Sequence, residues 1–105
     1  MTDIKDFLTK ASGLPVEDTA FTKPPKLPWI VFLDDFSGDG DDFHMQIGEH
    51  NLVVELYAER IEIQTEKKLE AAFEAKGWKY DRGRIWLNSE KMFETIYTIN
   101  FTEKR

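Results

Sequence analysis

The stretch Asn51-Leu-Val-Val-Glu-Leu-Tyr-Ala-Glu59, followed by the pattern from Glu62 to Lys76, decides the fold class, because the hydrophobic period changes there from two to about 3.6. In the first part Leu52, Val54, Leu56 and Ala58 fall on one side of a strand, and Val53, Glu55 and Tyr57 on the other. In the second, Leu69, Ala72, Phe73 and Lys76, with Thr65 one turn earlier, form a single narrow stripe on a helix. Its remaining positions are Glu66, Lys67, Lys68, Glu70 and Glu74, and Gly77 ends it. A strand with one apolar face and a helix with one apolar stripe bury each other.

Working upstream, Trp29-Ile-Val-Phe-Leu33 is a β-branched and aromatic run opened by Pro28, and it predicts a strand over 28–36. The segment Asp34 to Asp42 reads as a loop, a second strand is expected over 43–47, and Gly48-Glu-His-Asn51 reads as a turn before the strand 51–59. Ile4, Phe7, Leu8 and Ala11 share one stripe of an N-terminal helix, capped by Thr2 or Asp3 and stopped by Gly13 and Pro15. Downstream, residues 78–87 read as a strand interrupted at Asp81-Arg-Gly83. A tight connection at Asn88-Ser89 leads to a last strand over 91–101, with Phe93, Thr95, Tyr97, Ile99 and Phe101 on one face. The expected fold is α+β in the order α-β-β-β-α-β-β, a mainly antiparallel sheet with two helices on one face. All 105 residues form one expected domain: helix 1–13, extended connector 14–27, sheet and second helix 28–101.

With 41% hydrophobic residues and only four prolines and six glycines, the composition is that of a folded protein. The absence of cysteine excludes a disulfide scaffold, a thiolate nucleophile and Cys-ligated metal, and it points to a reducing cytoplasm. No apolar run reaches membrane-spanning length, and Met1-Thr-Asp-Ile-Lys5 lacks the layout of a signal peptide, so no membrane association is expected. Charge is more informative when located. Asp34, Asp35, Asp39, Asp41, Asp42 and Glu49 lie in a stretch without lysine or arginine, and the other fourteen acids match the fourteen bases, so the formal charge of −6 resides in that segment. A chain so balanced has no basic stripe for phosphates, and nucleic acid is not an expected partner.

The constellations that carry chemistry are incomplete. Asp35-Phe-Ser-Gly-Asp39-Gly40-Asp41 matches the first half of a calcium loop, but its twelfth position is Gln46 instead of a bidentate glutamate. His44 and His50, beside Asp42 and Glu49, are spaced for neither a helical nor a strand pair on one metal. Ser12, Ser37 and Ser89 lack a nucleophile elbow, and the aspartates around Gly38 and Gly40 repel the anion a glycine loop would cradle. No catalytic residue, metal, cofactor or small-molecule substrate is expected. The aromatic residues fill stripes, yet two helices cover one face of the sheet only. Tyr57 and Trp78 are candidates for the other face, which either another subunit or the chain's own loops would cover.

Four strings, Pro28-Trp-Ile-Val-Phe-Leu-Asp-Asp35, Asn51-Leu-Val-Val-Glu-Leu-Tyr-Ala-Glu59, Glu66-Lys-Lys-Leu-Glu70 and Ser89-Glu-Lys-Met-Phe-Glu-Thr-Ile-Tyr97, resemble the small head–tail joining or tail-completion proteins of long-tailed phages and prophages of Gram-positive bacteria. The resemblance runs over about residues 27–101. It implies a tail-terminator-like α+β fold and a non-enzymatic role at the head–tail junction or tail terminus. It further implies assembly into a ring, a hexamer among the candidates, on portal, connector or tail tube proteins. The location implied is the host cytoplasm before assembly and the virion neck or tail after it. Inter-strand loops make such contacts, which would give the acidic segment a purpose. The expected contact residues are Asp34, Asp35, Phe36, Asp39, Asp41, Asp42, Phe43, Tyr57 and Trp78. From the residues alone, the same 34–50 hairpin also fits an acidic adaptor or inhibitor that binds a basic partner.

Overall fold

The Asp3 side chain accepts a hydrogen bond from the Asp6 amide, and Gly13, at φ 74°, takes the left-handed conformation that ends a helix. Between these caps runs α1 (Ile4–Ser12). The computed structural model describes residues 3–38 and 47–104. Within the segment read as a connector, Val16–Asp18 forms β1, paired parallel to β2 (Trp29–Gly38). Three residues show no period, and what makes them a strand is the bonding at either end: Ile30 N–H to the Pro15 carbonyl at 2.9 Å and Thr19 N–H to the Phe32 carbonyl at 2.8 Å.

Strand β2 continues through Asp34 and Asp35 to Gly38, so the first part of the acidic segment is strand and not loop. Strand β3 (Ile47–Ala58) likewise passes without a turn through Gly48–Asn51. The turn-prone residues are overridden because β3 is central. Gly48 pairs with Gly38 of β2 on one side and with Glu103 of β5 on the other, so ladder bonds on both edges hold the backbone extended. Residues 43–46 of the expected second strand lie outside the described residues. Helix α2 (Ile63–Ala75) is followed by Gly77 at φ 73°. Strand β4 (Tyr80–Leu87) runs unbroken through Asp81–Gly83, held by its register against Thr98–Ile96 of β5 (Met92–Lys104).

The element order is the expected α-β-β-β-α-β-β, in a sheet ordered β1-β2-β3-β5-β4 whose only parallel pair among the described residues is β1 with β2. Among the described residues the strands before α2 differ from the expected ones, since β1 is new and β3 joins the residues read as a turn to the expected 51–59 strand. Both helices lie on one face. Ile4 and Leu8 of α1 and Leu69 and Phe73 of α2 join Ile30, Phe32, Leu52, Val54, Leu56, Tyr97 and Ile99 in one core cluster. Burying a full aliphatic or aromatic side chain contributes roughly 1.5–3 kcal/mol, so this layer carries most of the stability.

Candidate interaction surface

Pleat and register place three rows of side chains on the face opposite the helices. Trp29, Tyr57, Glu94 and Ile85 form the first, Val31, Glu55, Ile96 and Gly83 the second, Leu33, Val53, Thr98 and Asp81 the third. The chain itself covers one corner. Residues 19–24 cross over Trp29, with the Phe21 ring 5.2 Å from Trp29 and the Trp29 ring 4.7 Å from Tyr57. Between this strap and the sheet lies a hollow of about 290 Å³ whose lining includes Phe21, Pro24, Trp29, Val31, Glu55 and Tyr57. The remainder is open: Leu33 is 42% exposed and Ile85 48%. Of the two expected covers, the chain's own loop therefore takes part of the face and leaves the rest.

Two carboxyls stand in the middle of it. Glu94 is buried, and the Tyr57 hydroxyl donates to its Oε2 at 2.9 Å. Burial first, then the hydrogen bond and charge of Glu94, push the Glu55 carboxyl up to about 7, against a smaller downward effect from Tyr57. Burial and the bond to Glu94 also raise the Tyr57 hydroxyl. Alternation in β3 put Glu55 and Tyr57 on this face, but Glu94 joins them only through the β3–β5 register, which no local pattern encodes.

This fold also occurs in a gene transfer agent virion. A chain of the virion of the native gene transfer agent (GTA) particle is similar over 93% of this chain and 84% of that one, with a TM-score of 0.60 and 13% sequence identity. The likeness is one of fold. No family model and no curated protein matches the sequence.

The other expected contact residues separate. Asp34 is on the helix side of the sheet, beyond the helices, where its two carboxylate oxygens lie 2.9 and 2.8 Å from His50 Nδ1. The buried His50 ring stacks on Phe101 at 4.3 Å. Asp35 is exposed on the opposite face, and Phe36 is a β2 position in register with His50. Asp39, Asp41, Asp42 and Phe43 lie outside the described residues. Trp78 is a correction: it packs on the helix side, stacked on Phe101 at 4.0 Å and against Phe7 at 5.1 Å. It follows Gly77, outside both helix and strand, so periodicity held no information on its side.

A second correction concerns Glu66, read as a solvent position of α2. It is buried, its carboxylate meeting Arg84 at 2.5 and 3.2 Å and accepting the Thr95 hydroxyl at 2.9 Å. Glu70 continues the seam, accepting from Arg82 at 2.7 Å and from the Tyr97 hydroxyl at 2.8 Å. Burial and this bond raise the Tyr97 hydroxyl, and the Glu70 partner raises the Arg82 guanidinium. Every carboxylate of the seam has its cation or hydroxyl, so it locks α2 onto the sheet and leaves nothing reactive. Among the described residues no group of three or more His, Asp or Glu is placed to hold a metal ion, and no helix is long and apolar enough to cross a membrane.

Proposed function

We propose that this chain is a non-enzymatic structural protein of a phage-type virion, at the head–tail junction or tail terminus, acting by ring assembly and protein–protein contacts. The observation that carries the reading is the fold shared over 93% of the chain with a virion component. The four strings that resemble head–tail joining and tail-completion proteins support it, as does a sheet face with exposed Leu33 and Ile85 beside half-covered aromatic rings. Its partners in this reading are further copies of itself and a portal, connector or tail tube protein, and its place is the virion neck or tail.

Deleting the gene from the phage or prophage that carries it tests the reading. Electron microscopy should then show heads and tails that fail to join, or tails of uncontrolled length, and restoring the gene should cure the defect. Complete, infectious particles in the deletion would overturn it. A finer test concerns the acidic segment. Changing Asp39, Asp41 and Asp42 together to Asn removes mutually repelling charges, so the thermal midpoint should stay level or rise slightly while particle yield falls. A clear loss of stability would show that these carboxylates serve the fold.

A further inference from the structure

The three rows of the open face hold two buried or half-buried carboxyls and no cation, and the exposed Lys79 stands at the far end of the face, in a hollow with Asp81, Thr98 and Asn100. The rows contain Glu55, Glu94, Tyr57 and Asp81 as titratable groups and neither lysine nor arginine. The nearby bases are committed elsewhere or outside the rows. Arg82 and Arg84 point to the helix side and bind Glu66 and Glu70. Lys5 is 3.3 Å from Glu17, the β1 residue beside Val31. Lys23 and Lys26, on the connector that forms the strap, are exposed, and no positive group contributes to the raised Glu55. Buried carboxyls are ordinarily matched by a cation or several hydrogen bonds. Here Glu55 retains a proton near neutrality in place of one.

We propose that this face docks a partner protein through a lysine or arginine side chain seated over Glu55 and Glu94, with the partner's flanking apolar residues on Leu33, Val53, Ile96 and Ile85. The inference rests on the structural-protein reading only in taking the partner to be another virion component. Charge complementarity selects the occupant: an ammonium or guanidinium replaces the proton of Glu55 and forms charge-assisted hydrogen bonds where apolar neighbours weaken screening. Trp29 and Tyr57, in the same row as Glu94, set two aromatic rings beside the carboxyls, and aromatic rings attract a cation. Access is open from the β4 side, since a Cβ added at Gly83, in the same row as Glu55, would meet nothing within 4 Å. A second copy is the poorer occupant, as two chains of formal charge −6 repel.

Butylammonium and butylguanidinium, stand-ins for the two side chains, test this on the purified full chain, with neutral butanol as control. The Glu55 carboxyl is followed by NMR titration. Either cation should lower its midpoint by about one unit from the value near 7 and shift the Tyr57, Glu94 and Ile96 resonances, whereas butanol should not. Glu55→Gln and Glu94→Gln should each lose the response while keeping the dispersed spectrum of the folded chain. An unmoved midpoint under both cations, or an equal response to butanol, would overturn the proposal. The same Glu55→Gln change introduced into the virus separates the two readings. A joining defect on gene deletion with no loss of particles in Glu55→Gln would leave the structural role standing and remove the docking site.

Discussion

At the scale of single residues, Glu55 adds a pH-dependent contribution to stability. Its folded value is raised from 4.5 to about 7, so between those values the folded chain binds more protons than the unfolded one, and stability falls as pH rises through that window. Glu55→Gln keeps a donor toward Glu94 and has no proton to lose. Its thermal midpoint should therefore be higher than that of the parent above about pH 7, with the gap closing as pH drops toward the ordinary carboxylate value. A gap independent of pH would show that Glu55 does not carry the titration. Gly13 illustrates what was legible locally: a glycine placed after a stripe of four apolar residues announces a left-handed cap, and φ 74° bears it out. Gly13→Ala forces a Cβ into that conformation and should cost about 1 kcal/mol, measured by denaturant unfolding.

Between elements, α2 and the β4–β5 pair are joined by two kinds of contact whose removal should differ in kind. Phe73, fully buried and ringed by Tyr80 at 5.6 Å and Tyr97 at 5.3 Å, is apolar packing, and Phe73→Ala should cost about 3–5 kcal/mol. Glu66 and Arg84 are an ion pair sunk into that packing. Glu66→Met alone strands a guanidinium that is 28% exposed and should cost about 2–4 kcal/mol, while the double change to Met at both positions should recover most of that loss. A double-mutant cycle in urea reads the difference, and additive losses would show that the pair is not coupled. The helical period of 62–77 was evident because its apolar stripe is narrow. The burial of Glu66 was hidden by that same stripe, which draws the boundary between core and solvent from apolar residues alone. Strand β1 was invisible for another reason, since three residues after a proline become a strand only where β2 offers its edge.

As a whole the chain is long and thin, 51 × 28 × 22 Å, because β3 and β5 run for 12 and 13 residues and extend beyond the helices. Much of its apolar surface is already buried against the helices, and like charge separates copies, so sedimentation of the purified chain should report a species near 12.3 kDa at micromolar concentration. Rings should appear only on a template or at high concentration. A stable oligomer at nanomolar concentration would refute that. The outermost long strand, β4, bears on the same point through its charges. A two-fold pairing of β4 with its own copy must match residues on the same face, so any such register is centred on one residue. Centred on Asp81 it opposes two aspartates. Centred on Arg82, Gly83 or Arg84 it sets arginine against arginine. Those four isologous registers are disfavoured, which leaves the backbone of β4 open to a strand of different sequence or to a different surface of the next copy.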